Sequence, residues 1–290
     1  KGDYQVALYC LEMNLAHAAD GTVFKAFAPR LRLPDRPAIV LLALLALATT
    51  LRAAAAPATN SLSAAEAAAG WRLLWDGQTS QGWQTIEEGT FPSSRWVIQS
   101  GELRVRPAPN EDFGNCRDLV TREKFSSFEL VVDFKLTRGA NSGVKYFVRS
   151  NLDPATGKMI RPELTPAIGC EYQILDDERH PDAKLGRDGN RKLGSLYDLI
   201  PAPASKPLNP MGEWNTARIV VDGNHVEHWL NGVKLLAYDR NTPAFDDLVG
   251  WSKFKRVAGF GDWVDGHILL QDHGGEVSFR NIKLRKLPVP

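Results

Sequence analysis

The feature that most constrains the fold is a period of two. From Trp71 onward the chain runs in short segments rich in β-branched and aromatic residues, each cut off by Gly, Pro, Asn or Asp. That is the pattern of a β-sandwich or barrel, and not of strands alternating with helices. Strands are expected at 95–98, 102–106, 128–136, 143–149, 171–175, 214–221, 225–230, 233–238, 267–271 and 277–284. The clearest of them places Phe128, Leu130, Val132, Phe134 and Leu136 on one face and Glu129, Asp133 and Lys135 on the other, as a half-buried strand requires. Ser100-Gly101, Asp222-Gly223-Asn224 and Asn231-Gly232 supply residues that tolerate positive φ, so the last two pairs of flanking strands form a meander.

One segment breaks the rhythm. Residues 176–209 are rich in charge, Gly and Pro, and are too long to be an idle connection inside one domain; loops of this kind form the rims of sites. The charge balance of 35 basic against 34 acidic side chains gives no electrostatic reason to expect a nucleic acid or an acidic membrane as partner.

The N-terminal part obeys a different composition. All eight tryptophans lie between Trp71 and Trp263, while the preceding residues are crowded with Ala and Leu. Arg30, Arg32 and Arg36 precede an apolar run at 38–51, followed by Arg52 and small residues at 53–58, the layout of a secretory signal. The run has 14 residues, short of the roughly 20 that a spanning helix needs. The expected organisation is a leader at 1–58 with a cut after Ala56-Pro57-Ala58, a linker at 59–69 and one domain at 70–290. Residues 1–29 read as an over-extended start and are assigned no function. The mature chain is expected to be exported, periplasmic or extracellular, with no membrane span. It retains Cys116 and Cys170, as one disulfide or as two separate thiols.

Alternation also sorts the polar residues. Glu171 and Gln173 share one strand face, and Tyr172 and Ile174 the other; a carboxylate beside an amide suits a polyhydroxylated ligand. On the strand read from Asn141 to Arg149 the same rule groups Asn141, Lys145 and Arg149 opposite Val144, Tyr146 and Val148, either as a ligand-binding face or as a solvated face with Lys–Glu pairing. Gln271-Asp272-His273-Gly274-Gly275 ends a β run with an acid, an imidazole that titrates near neutrality and two glycines that allow close approach. Asp176-Asp177 suits a divalent cation, an oriented base or simply a turn. Tyr197, Trp251 and Trp263 are candidates for stacking on a sugar ring, with core packing as the alternative; Trp229 is expected in the core, with His228 free to point either way. Phosphate-loop, nucleophile-elbow and zinc signatures are missing from the sequence.

Six strings then stand in register: Asn141-Ser142-Gly143-Val144-Lys145-Tyr146-Phe147-Val148, Glu171-Tyr172-Gln173-Ile174-Leu175-Asp176-Asp177, Leu196-Tyr197-Asp198, Gly212-Glu213-Trp214-Asn215, His228-Trp229-Leu230-Asn231-Gly232, and Leu270-Gln271-Asp272-His273-Gly274 with Phe279-Arg280-Asn281-Ile282. Together they resemble the 3-keto-disaccharide hydrolase domain family over about 70–287. The resemblance implies an all-β, concanavalin A-like jelly-roll sandwich of two antiparallel sheets, with long loops at a concave face that holds carbohydrate. It implies an oxidised glycoside as substrate, and leaves open whether a sugar 3-dehydrogenase upstream supplies the ketone. Catalytic roles then fall to His273 or Glu171 as base, Lys145 as donor to the 3-oxo group, and Asp177 or Tyr197 near the leaving group. Gln173, Asn141, Arg149, Gln271, Asp272 and Trp263 are expected to bind substrate. No cofactor is required by this reading, and it leaves room for a divalent cation. A sugar-binding module without turnover and a two-carboxylate glycosidase are the competing readings.

Overall fold

The computed structural model describes residues 58–107 and 117–288, so the expected signal at 30–57 and Cys116 lie outside them. Thirteen strands follow in order: β1 Arg72–Leu73, β2 Trp83–Gln84, β3 Trp96–Gln99, β4 Glu102–Val105, β5 Leu119–Phe125, β6 Phe128–Leu136, β7 Asn141–Ser150, β8 Ala167–Leu175, β9 Trp214–Asp222, β10 His225–Leu230, β11 Val233–Asp239, β12 Gly266–Leu270 and β13 Val277–Lys286. Two short helices, α1 Ala64–Ala68 and α2 Pro243–Gly250, accompany them. A capping box between Ser63 and Glu66 starts α1, and Thr242 caps α2 with Pro243 in its first turn.

The strands form two antiparallel sheets, as a jelly-roll sandwich requires. The larger runs β11-β10-β9-β6-β13-β4-β3 with β1 added on β13, and the smaller runs β2-β5-β12-β7-β8. One apolar cluster joins their inner faces. It takes Phe128, Leu130, Val132 and Phe134 from β6, Val144 and Tyr146 from β7, and Cys170, Tyr172 and Ile174 from β8. Trp75, Trp83 and Trp96 are buried in it, with their indole N–H groups donating to the carbonyls of Thr79, Leu74 and Arg117.

Where the period of two is unbroken, the expected faces hold: from Leu130 onward β6 alternates between buried and half-buried positions, while Glu129 is buried in ion pairs with Arg218 and Arg285. On β7 a bulge breaks it. Phe147 adopts φ +54° and the β7–β8 register shifts between Tyr146 and Arg149. Tyr146 and Phe147 therefore both enter the core, while Val148 turns outward against Val120, Ala167 and Leu269. Arg149 consequently leaves the face of Asn141 and Lys145, and its guanidinium pairs with Asp265 at 2.7 Å.

On β10 the expectation for Trp229 is reversed. Val226, His228 and Leu230 are the inward residues, and His228 is fully buried. Trp229 lies on the outer face, its N–H donating to Glu227 Oε2 and its ring covered by Arg218 at 4.6 Å. Cys170 is a free, buried thiol, pushed up to about 12 by its burial. No described helix is long and apolar enough to cross a membrane.

Candidate functional site

The outer face of the smaller sheet carries a row of polar side chains from its three neighbouring strands. β7 contributes Asn141 and Lys145, β8 contributes Glu171 and Gln173, and Gln271 follows directly after β12. All five are buried although none is apolar, because the loops beyond the strands roof them. Register places Lys145 opposite Glu171 and Gly143 opposite Gln173. A side chain at Gly143 would meet Glu171: an added Cβ would lie 2.3 Å from Oε1. With its amide nitrogen turned toward its acceptors, Gln173 donates to Glu171 Oε1 at 2.9 Å and to the Ser142 carbonyl at 3.2 Å.

Two loops complete the site. The long connection between β8 and β9 is held by main-chain bonds to β8, Gly194 N–H to Gln173 O and Tyr197 N–H to Glu171 O. It delivers a 3-10 turn at Pro181–Lys184 that carries Asp182, with His180 capping it and Tyr197 beside it. Tyr197 donates to Asp182 Oδ2 at 2.9 Å, and Arg191 bridges Asp182 and Asp198 at 2.9 and 2.7 Å. The loop after α2 delivers Lys253, whose main-chain N–H donates to Asp198 Oδ2 and whose ammonium lies 4.3 Å from the centre of the Tyr197 ring.

The resulting space has a wide and a narrow part. A cleft of about 580 Å³ is lined by Asn141, Arg179, His180, Asp182, Leu185, Tyr197, His273 and the glycines 139, 274 and 275. It continues, past Asn141, Asp182, Tyr197 and His273, into a recess of about 70 Å³ lined also by Thr165, Glu171, Gln173, Lys253 and Gln271. Among the described residues Gln271 Oε1 is buried there without a hydrogen-bond partner, an acceptor left for a donor group on a ligand.

Burial sets the electrostatics. Glu171 is raised above the ordinary carboxylate range by burial, against the pull of Lys145 and Lys253 and with a push from Asp118 and Asp182. Asp118, 3.9 Å from Lys145 Nζ, is raised for the same first reason. Lys253 is lowered by burial, partly offset by Glu171, and His273 is lowered by burial. Tyr197 is raised by burial and by Glu171, so it keeps its proton.

Of the residues expected from the sequence, the structure brings together Asn141, Lys145, Glu171, Gln173, Tyr197, Gln271 and His273. Asp177 is elsewhere: it accepts from Leu193 N–H at 2.7 Å and pairs with Lys206 at 2.6 Å, which fixes the long loop. Asp272 is turned from the cavity into a bidentate pair with Arg95, both bonds at 2.8 Å, and so braces the segment that carries His273. Trp263 packs against the core and its carbonyl accepts from Arg240, and Trp251 is exposed beside Arg187. Asp176 accepts from the Gly139 and Glu178 N–H groups and from Arg179. Among the described residues no group of three or more His, Cys, Asp or Glu side chains is arranged to hold a metal ion.

Sequence reasoning missed Asp118, Thr165, His180, Asp182 and Lys253. All lie in loops or next to a strand end, where alternation carries no signal. Of these, only Asp182 and His180 fall in the long segment already marked as a rim.

The sequence profile of the 3-keto-alpha-glucoside-1,2-lyase-like domain matches residues 70–285. The chain is 36% identical over 242 residues to the 3-keto-disaccharide hydrolase of Bacteroides thetaiotaomicron, covering 79% of this chain and 82% of that protein. Two solved structures of candidate glycosyl hydrolases from Parabacteroides distasonis, each 26% identical, superpose with TM-scores of 0.66 and 0.54. The first covers 79% of this chain and 100% of its own, the second 75% and 99%.

Proposed function

Because the chain belongs to the 3-keto-alpha-glucoside-1,2-lyase-like domain family, and is therefore a hydrolase-family enzyme of carbohydrate, we propose that it cleaves the glycosidic bond of 3-keto-glycosides, 3-keto-disaccharides among them. The observation that supports this reading is the opposition of two buried side chains, Glu171, which lines the recess, and Lys145, which lines a small space beside it together with Glu171 and Lys253. A ketone at C3 makes the C2 proton acidic, so the chemistry needs a base near C2 and a positive donor at the 3-oxygen, side by side and away from water. Glu171, raised by burial, is the base, and Lys145 is the donor.

Removal of the C2 proton gives an enolate that expels the C1 substituent. Water then adds at C1, with a proton at C2, so the sum is hydrolysis. His273 and Tyr197 line both recess and cleft, and this reading assigns the leaving oxygen to the gap between them and the departing group to the wider space. Export through the signal at 30–58 fits a sugar-processing enzyme, and a sugar 3-dehydrogenase must act first to form the ketone.

Product release from methyl 3-keto-α-glucoside and from methyl α-glucoside, with and without chelator, tests the reading. Turnover of the keto compound alone is expected. Turnover of the unoxidised glucoside would favour a two-carboxylate glycosidase, and binding of either without turnover would favour a lectin-like module. The chelator arm reads whether a divalent cation takes part.

A further inference from the structure

Lys253 has a chemical position that the elimination scheme leaves unused. It lines the same recess as Glu171, and also a smaller space beside Lys145 and Thr165. Its ammonium rests over the rings of Tyr197 and Phe254, at 4.3 and 5.2 Å from their centres, and makes no ion pair or side-chain hydrogen bond among the described residues. Lys145, by contrast, is already engaged by Asp118 at 3.9 Å and Thr165 at 3.5 Å. The main chain at Lys253 is pinned to Asp198, which Arg191 ties to the Asp182–Tyr197 pair, so the amine is presented from a fixed segment.

We propose that Lys253 is a nucleophile that captures the 3-oxo group of the sugar as an imine; this rests on the 3-keto reading above. Burial, helped by the neighbouring Lys145 charge and opposed by Glu171, shifts Lys253 toward the neutral amine, the form that attacks a carbonyl. The Nζ lone pair bonds to C3 and the carbonyl π pair moves to the oxygen. One proton is taken up overall, Lys145 being placed to give it, the oxygen leaves as water, and a protonated imine remains. Glu171 then takes the C2 proton, and the C2–H pair becomes the C2–C3 double bond of an enamine. That pair returns to form C1=C2 as the C1–O bond breaks, and the leaving oxygen takes a proton. One water adds across C1=C2. A second hydrolyses the imine and restores the amine, the ketone and the proton first taken up. One water is released and two are consumed, so the balance is that of hydrolysis.

The test is reductive trapping of the whole protein with methyl 3-keto-α-glucoside and cyanoborohydride, read by intact mass and peptide mapping. The expected result is progressive inactivation with one sugar attached through a secondary amine at Lys253. K253R, which keeps the charge and cannot form the imine, is expected to show no adduct and to lose turnover by about 100-fold. Wild-type protein that turns the compound over without being trapped, or that is trapped at Lys145, overturns the proposal while leaving the 3-keto reading intact. Wild-type protein that does not turn it over at all overturns both. Trapping is read on the wild-type chain, so a K253R chain that fails to fold does not affect it.

Discussion

Lys145 stands directly opposite Glu171 on the β7–β8 ladder, and each residue is 4% exposed on the outer face of the smaller sheet. Opposite charges at such a cross-strand pair ordinarily stabilise a solvated face. Here loops cover the pair and burial lifts Glu171 above its ordinary range, which suits the carboxylate to the proposed role of base.

Glu171→Gln is predicted to lower kcat by at least about 100-fold, the typical scale of general-base catalysis. Stability should hold or rise at neutral pH. The folded state binds the Glu171 proton more tightly than the unfolded chain does, so the ionised carboxylate is a cost that the amide removes. Steady-state kinetics and thermal melts of the same preparation check both.

Turnover should rise with pH through a titration above the ordinary carboxylate range, because Glu171 must be ionised and burial raises it. Burial moves His273 the other way, below its ordinary value. The pH profile of His273→Gln separates the two: the acid limb is expected to stay in place at reduced turnover, and its disappearance would make His273 the base.

Breaking the Arg95–Asp272 pair by Arg95→Ala is expected to cost about 3–5 kcal/mol, since it leaves a carboxylate that is 0% exposed without its bidentate partner. Activity should fall with it, because Asp272 precedes His273 and accepts from the Arg117 and Gly274 N–H groups. Denaturant unfolding measures the first effect.

Arg149→Ala, by contrast, should change turnover little and stability by no more than about 1 kcal/mol, as for an exposed ion pair. A large loss of turnover would put the guanidinium back in the site.

The buried hydrogen bonds behind the sheet predict an acid-labile fold. Gly194 O can only accept, so His228 Nδ1 carries the proton and Nε2 accepts from Tyr146 at 2.8 Å. Burial holds His228 neutral, lowering it from 6.5 to about 4. Between those values the unfolded chain binds a proton that the folded chain refuses, so stability falls as pH drops through the window, by up to about 3 kcal/mol. Denaturant midpoints at pH 7 and pH 4.5 in wild type and His228→Gln check it; the variant should lose much of the difference.

What was legible in the sequence is what a period of two can encode. Strands β6 and β10 lie where alternation put them, and Glu171 with Gln173, like Asn141 with Lys145, falls on one face of its strand as alternation requires. The bulge at Phe147 was not legible, because a non-glycine residue at positive φ leaves no compositional mark, and Arg149 was misplaced with it. Strand β5 was overlooked because Thr121, Arg122, Glu123 and Lys124 hide its alternation, while Asp118 just before it and Lys253 after α2 reach the site through folding of distant loops.

The central claim is that the bond to be broken is labilised through C2. The most direct measurement compares 3-keto-glucoside carrying hydrogen or deuterium at C2, following both rate and label. Deuterium is expected to slow turnover and to be lost from the product; an unchanged rate with deuterium retained at C2 would contradict abstraction of the C2 proton.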